Sequence, residues 1–324
     1  MPVRKLTVTE DETGVRLDRW LKRHVPELTQ IWLLRLLREG QIRVDSRRVK
    51  SGERLQAGQI VRLPPFLSDE SSSVADKARM SLPPRLAQDL RERILFQDDD
   101  LLALNKPAGL AVQGGTGQTT SLDRVMAALL GQPVHLVHRL DRETSGVLLI
   151  ALNPFAADKL ASAFRGREAH KAYWAITRGV PQPDSGLIDQ FLFRKGKVMM
   201  IARGKDLEQA QSARTLYRVL DSTEKTALVS LWPQTGRTHQ LRAHLRFMKA
   251  PVLGDLMYGR PDQKEKSMFL HARRLVLPHP RGGKLDIQAP LPDPFSLMLT
   301  QLGLTPPTDE PEPPFDPSCR MFPK

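Results

Sequence analysis

The sequence predicts an α+β protein in two units, and three observations carry that reading. A chain of 324 residues is long enough for one large domain and a small accessory one, each with its own apolar core. Between Arg16 and Leu63 the apolar spacing changes from helical to strand-like, which marks a compact helical and β module. From about Leu90 to Leu302, short β-branched or apolar stretches (LLALNK, GVLLIAL, KAYWAIT, ARTLYRVL, TALVSLW) alternate with few helical patterns, which suggests an antiparallel sheet.

Residues 1–15 read as an extended leader, and 16–63 as the small unit. Leu17, Trp20 and Leu21 recur at helical spacing. After a break at Pro26 the same spacing returns, on either the Ile31, Leu34 and Leu37 face or the Leu33 and Leu36 face. Gly40 ends this second helix. Alternating Ile42 and Val44, a turn at Asp45 and Ser46, and a strand from Gln59 to Leu63 complete the unit. Residues 64–89, rich in Pro, Ser and charge, read as a flexible linker, 90–302 as the large body, and 303–324 as a Pro-rich disordered tail. No internal repeat is visible.

The charge balance points to a polyanion. Lys and Arg number 49 against 36 Asp and Glu, a formal excess of +13. Nucleic acid heads the list of partners, ahead of an anionic membrane surface, for which no strongly amphipathic basic helix is found. A basic surface with no role beyond solubility is the plain alternative. Residues 1–65 hold 14 Lys and Arg against 8 Asp and Glu, so nearly half of the excess sits in a fifth of the chain. The longest apolar run noted, Val147 to Leu152, is far shorter than the roughly 20 residues that span a bilayer. The start, MPVRKLTVTEDETG, lacks an apolar signal core, and a cytoplasmic address is expected. The single cysteine, Cys319, has no partner for a disulfide or a zinc set, so redox and thiolate chemistry are not expected.

Two stretches concentrate reactive side chains. The first is His138 to Gly146, HRLDRETSG, between the strand-like PVHLV and the apolar VLLIAL; polar residues massed at a strand end are where function tends to reside. A polar turn in which Asp141 caps a short helical turn reads equally well. The second is Thr235 to His244, TGRTHQLRAH, where Thr235 serves as N-cap and Leu241, Leu245 and Met248 form one buried helix face. Arg237 then falls in the first turn, a favourable place for phosphate. His239 and His244 are five apart and share no helical face, so no metal is expected; both are read as hydrogen-bonding the backbone or RNA. Three further pieces are NKPAGLAVQGG, KAYWAI, and the pair PVLGDLMYG with FLHARRLVLPHP; the Gly-rich GGTG lacks the Lys and Ser or Thr of a phosphate-binding loop.

In this order NKPAG, HRLDRETSG, KAYWAI, TGRTHQLRAH and LGDLMYG resemble the pseudouridine synthases of the RluA family, in the branch with an N-terminal S4 domain that acts on large-subunit ribosomal RNA. RLDRWL, LLRLLREGQIRVDSRRV and GERLQAGQIVRL carry the S4 resemblance, although the serine and Asn-Gly common there are replaced by Gln30, Trp32 and Asp45-Ser46. The resemblance implies a mixed, mainly antiparallel sheet with a central cleft, no cofactor, and Asp141 as nucleophile. A carboxylate suits a reaction that breaks C1′–N1 and joins C1′ to C5, and an adjacent guanidinium favours its charged form. Arg139, Arg237 or Arg242 are the choices from the residues; the family implies Arg237. It also implies that Arg139 fills the place of the flipped base and that Tyr173 stacks on uracil and acts as general base. Without the family, Tyr173 is as well read as a half-buried strand aromatic. Lys171, Arg242 and His239 are assigned to RNA, together with Arg35, Arg38, Arg43, Arg47 and Arg48 of the small unit, which otherwise form a solvated face. Leu140 or Leu241 would wall the pocket. The expected partner is large-subunit ribosomal RNA, with no membrane, and the expected state is a monomer.

Two rival readings compete with this one. A hydrolase built on Ser145, His138 and Asp141 fails on layout, with all three residues in one short stretch and no G-x-S-x-G elbow. A non-catalytic ribosome-binding or assembly factor is the stronger rival, and it is opposed by the joint presence of Asp141, Tyr173 and Arg237.

Overall fold

A computed structural model of the chain describes residues 4–25, 28, 30–64, 84–114, 121–259, 265 and 267–314. Most of the expected linker, the GGTG turn beyond Gly114, the side chains of Gln30, Trp32 and Arg35, and the tail from 315 onward with Cys319 lie outside the described residues. The chain divides into two compact units, residues 1–80 and 81–324. Among the described residues no helix is long and apolar enough to cross a membrane.

In the first unit, helices α1 (Leu17–His24) and α2 (Gln30–Glu39) accompany a four-stranded antiparallel sheet. Its strands are β1 (Arg4–Thr7), β2 (Arg43–Val44), β3 (Arg47–Arg48) and β4 (Ile60–Leu63), in the order β1-β4-β2-β3. The leader therefore supplies a strand: Arg4 to Thr7 pair with Leu63 to Ile60. Trp20, Leu21, Leu33, Leu36, Ile42, Val44 and Leu55 form one core, so α2 buries its Leu33 and Leu36 face and leaves Leu34 exposed. Gly40 closes α2 in the left-handed region at φ 71°. Asp45 and Ser46 both take positive φ, 46° and 68°, the backbone of a primed hairpin turn, and the Asp45 carboxylate accepts the Ile60 N–H at 2.8 Å.

The second unit is built on an eleven-stranded sheet. In chain order its strands are β5 (Ile94–Gln97), β6 (Leu101–Lys106), β7 (His135–Leu136), β8 (Ser145–Ala151), β9 (His170–Arg178), β10 (Ser185–Lys195), β11 (Val198–Ile201), β12 (Gln211–Ser222), β13 (Thr226–Pro233), β14 (Leu270–Pro278) and β15 (Lys284–Gln288). The main path runs β11-β10-β12-β13-β9-β14-β8-β6-β5, with β15 on β14 and β7 on β8. Every pairing is antiparallel except β14 with β8. The sheet is thus mixed and mainly antiparallel, as the sequence leads one to expect.

Helices cover both faces. They are α3 (Pro84–Glu92), α4 (Leu122–Leu130), α5 (Pro154–Arg165), α6 (Gln240–Phe247) and α7 (Asp293–Leu302). Strands buried on two sides need apolar residues at successive positions, and β8 is buried along its whole length. Its Leu148 and Ile150 pack with Leu122 and Met126 of α4, while Val147 and Leu149 pack with Ala156 and Leu160 of α5. On β9, Ala175 packs with Leu241 and Leu245 of α6, and Trp174 and Ile176 pack with Phe295 and Leu299 of α7.

The parallel contact between β8 and β14 depends on a glycine. Gly146 lies opposite Ala272 at φ 108°, and a Cβ there would overlap the Ala272 backbone. Gly146→Ala should therefore lower stability by about 3 kcal/mol or more, read as an earlier midpoint in urea unfolding. An unchanged midpoint would show that the strands tolerate a side chain between them.

Candidate active site

The loop between β7 and β8 carries HRLDRETSG, and it is stitched to the loop after β6. Lys106, fully buried at the end of β6, donates its ammonium hydrogens to the carbonyls of Pro107 (2.9 Å), Leu110 (2.9 Å) and Arg142 (3.0 Å). Burial brings Lys106 down to about 8, against the opposing pull of Glu143 and Asp141. The Gly109 N–H donates to the Arg142 carbonyl, and the Arg142 guanidinium donates back to the Gly109 carbonyl, both at 2.9 Å. Asp141 is consequently displayed on a loop whose backbone is fixed at the next residue, Arg142.

The Asp141 carboxylate does not cap a helical turn; it meets a guanidinium. Arg242 of α6 donates from Nη1 to Asp141 Oδ2 at 3.2 Å. Its Nε and Nη2 bind both carboxylate oxygens of Asp255, at 2.6 and 2.8 Å. Asp255 is wholly enclosed, Arg242 is 8% exposed and Asp141 21%, so the cluster opens to solvent at Asp141. The N–H groups of Met257 and Tyr258 donate to Asp255 Oδ1 at 2.9 and 3.0 Å, which fixes the inner carboxylate. The Tyr258 ring lies under the guanidinium at 4.9 Å. Its hydroxyl accepts the Met199 N–H at 2.6 Å and stands 3.0 Å from His239 Nδ1. Burial lowers the His239 pKa despite the attraction of Asp141, which favours the neutral ring. His239 Nε2 lies 3.8 Å from Asp141 Oδ2.

Arg237 is not the partner of Asp141. The helix in TGRTHQLRAH starts at Gln240, with His239 in the left-handed region as its N-cap. The reason is the Gln240 side chain: Oε1 accepts the Thr235 hydroxyl at 2.7 Å and the Arg237 N–H at 3.0 Å, and Nε2 donates to the Arg214 carbonyl and the Thr215 hydroxyl, each at 2.9 Å. These bonds hold residues 235–239 as a loop, so Thr235 caps nothing and Arg237 is outside the first turn. Arg237 is exposed, with its Nε on the Ser212 carbonyl at 3.1 Å. His244 faces a side chain, the Thr215 hydroxyl at 3.0 Å, and burial lowers it to about 4.

Tyr173 on β9 is half-buried where two apolar clusters meet, one containing Leu140 and Ala272, the other Leu231 and Leu241. Burial, and then the charge of Asp141, push its phenol well above the ordinary tyrosine range. The phenol is therefore protonated at neutral pH, which removes the phenolate as a resting base. Lys171 is half-buried, and burial disfavours its ammonium, whereas Arg139 is exposed beside the site. In the first unit Arg38, Arg47 and Arg48 are exposed, but Arg43 turns inward onto the carbonyls of Gly40 (3.0 Å) and Ser46 (3.3 Å). The hydrolase layout does not assemble. His138 accepts the Leu149 N–H at 2.8 Å and stacks on Phe164, and the Ser145 hydroxyl meets His271 at 2.9 Å.

Asp255, Tyr258 and Lys106 are the residues that the sequence reading left without roles. All three stand in stretches it singled out, LGDLMYG and NKPAG, but only the fold shows which carboxylate faces the guanidinium. Replacing Asp255 by Ala leaves a buried guanidinium and two backbone N–H groups without their acceptor, and should cost about 3–5 kcal/mol. Arg237→Ala, at an exposed position, should cost under about 1 kcal/mol. Chemical denaturation of both variants is the check, and equal small losses would refute the organising role given to Asp255.

The family model described as RNA pseudouridylate synthase matches residues 100–247, the stretch from the start of β6 to the end of α6. The chain is 34% identical over 310 residues to a ribosomal large subunit pseudouridine synthase C of Vibrio cholerae, covering 93% of this chain and 97% of that protein. It is 37% identical over 298 residues to a protein of the same name from Rickettsia conorii, covering 88% and 96%. Among solved structures, human RNA pseudouridylate synthase domain containing 4 superposes with a TM-score of 0.61 at 34% identity, over 72% of this chain and 99% of that one. The chain belongs to the RNA pseudouridylate synthase family.

Proposed function

We propose that this protein converts uridine to pseudouridine in large-subunit ribosomal RNA, with Asp141 as the nucleophile. The observation that carries the reading is the Asp141 carboxylate, partly open to solvent and 3.2 Å from a guanidinium anchored elsewhere. Relatives named as ribosomal large subunit pseudouridine synthases support the substrate. The reading puts the protein with ribosomal RNA in the cytoplasm, acting as a single copy.

The target uridine leaves its stack and enters the site, at a cost of a few kcal/mol that contacts to the flipped base and backbone offset. Arg139, exposed beside the site, fills the vacated place. As the C1′–N1 bond breaks, the Asp141 carboxylate attacks or stabilises C1′; the freed uracil turns so that C5 bonds to C1′ while any C1′–O bond to Asp141 breaks, C5 then gives up its proton and N1 ends protonated, which leaves the composition unchanged. Arg242 holds the carboxylate in line and Tyr173 stacks on the uracil as a neutral phenol. Arg237, on the exposed loop, serves RNA binding rather than the nucleophile. The first unit binds RNA through Arg38, Arg47 and Arg48, consistent with its S4-like pattern and its share of the basic excess.

Ribosomal RNA from cells lacking this protein separates enzyme from assembly factor. The intact protein should generate pseudouridine in it, and Asp141→Asn, which keeps the shape of the side chain, should generate none above background. Product from both, or from neither, would remove the nucleophile from Asp141. A chain lacking residues 1–80 should bind the same RNA more weakly, with a shallower dependence of log affinity on log salt, because fewer phosphates are neutralised. Equal affinity and slope in the two proteins would take RNA binding away from the first unit.

A further inference from the structure

The segment after α7, expected to be the start of a disordered tail, is in part an arm seated against the sheet. Glu310 is its anchor, with a side chain only 6% exposed. Its Oε1 accepts the indole N–H of Trp174 at 3.1 Å, and its Oε2 accepts from the Gln288 amide at 3.4 Å and faces Arg273 Nε at 3.4 Å. Arg273 itself lies over the Trp174 ring at 5.0 Å and donates to the Ala289 carbonyl, while the Ala289 N–H returns to the Arg273 carbonyl at 2.9 Å. Trp174 of β9, Ala289 just after β15 and Glu310 of the arm thus meet at one arginine of β14.

Arg273 occupies a special place in the register. On β9 and β14, Tyr173 pairs with Ala272 and Ala172 pairs with Arg274, so Arg273 is the extra residue of a bulge. The neighbour on one side, Trp174, points to the arm; Tyr173 points the other way, toward the site. The opposite edge of β14 at Ala272 abuts Gly146, five residues beyond Asp141. A single bulge therefore sets the spacing between the strand that carries Tyr173 and the strand that leads from Asp141.

The geometry points to Glu310 as a positioning residue: by holding Arg273 and Trp174 it fixes the bulge and, through it, the placement of Tyr173 relative to Asp141. The acid touches no substrate and acts from the far face of the sheet. Removing its carboxylate leaves the guanidinium without that counter-charge and the indole N–H without an acceptor, and the bulge is free to shift. Displacements of about 1 Å at a reacting centre are worth roughly tenfold to a hundredfold in rate. An amide at the same position still accepts from the indole and restores part of the constraint.

This inference rests on the proposed reaction for its kinetic arm, so the test also has an arm that does not. The full-length protein, Glu310→Ala and Glu310→Gln are compared for single-turnover rate and RNA affinity, and each is labelled with 3-fluorotyrosine, which reports three resonances from three tyrosines. Glu310→Ala should lose about tenfold in rate with RNA affinity within about twofold, Glu310→Gln should recover much of that loss, and the Tyr173 resonance should move in the alanine variant and return toward its original position in the glutamine variant. A Tyr173 resonance unmoved in Glu310→Ala overturns the inference, as does a rate equal to that of the intact protein. If the intact protein makes no pseudouridine, the proposed reaction fails while the fluorine shift alone decides the role of Glu310.

Discussion

The arrangement of the second unit depends on one buried guanidinium shared between two carboxylates. A charge removed from water is tolerated only when it is paired and its donors are used. Asp255 meets that requirement for Arg242 with a two-pronged contact, and the backbone of the Met257 and Tyr258 turn meets it for Asp255. The planar fork leaves Nη1 aimed in one direction, where Asp141 stands. Because Asp255 takes most of the interaction, Asp141 is held by one longer bond and keeps oxygen lone pairs for its proposed role. A lysine could not divide its charge with this directionality.

The fold brings that geometry about with a few local devices. In a sheet of antiparallel pairs, the parallel contact of β8 with β14 sets the start of β8 beside the strand that pairs with β9. Asp141, Tyr173 and Ala272 are thereby gathered at the middle strands although more than a hundred residues separate the first from the last. Gly146 permits the backbones to approach, and the ammonium of Lys106 gathers three carbonyls that would otherwise repel one another in the interior.

Much of this was legible from spacing alone. β6, the core of β8, β9 and β13 coincide with apolar runs because buried strands need them, and Gly40 and the Asp45-Ser46 turn declare their positive φ by residue type. The family resemblance located Asp141 and the loops around it. What spacing does not encode is contact between distant segments. Arg237 and Arg242 both sit in a basic stretch, and only the Gln240 side chain, by tying down residues 235–239, decides that Arg242 is the one on the helix facing Asp141. RKLT is too short and polar to announce β1, which exists because β4 offers it a partner. A Pro-rich composition likewise hides Glu310, whose order comes from Trp174 and Arg273 and not from its neighbours in sequence.

These distinctions divide the arginines by what burial allows them to do. Arg242 and Arg273 are desolvated and already paired, so neither has a counterion to release when RNA arrives, and their contribution is geometric. Arg38, Arg47, Arg48, Arg139 and Arg237 are exposed, where a guanidinium costs little to present and the proposed phosphate contacts are open to it. Among the described residues those five arginines lie at the surface, while at the site one guanidinium, that of Arg242, stands between the carboxylates of Asp141 and Asp255. In the proposed reaction the outer carboxylate, that of Asp141, suits a group in which positive charge develops, the C1′ of a sugar losing its base.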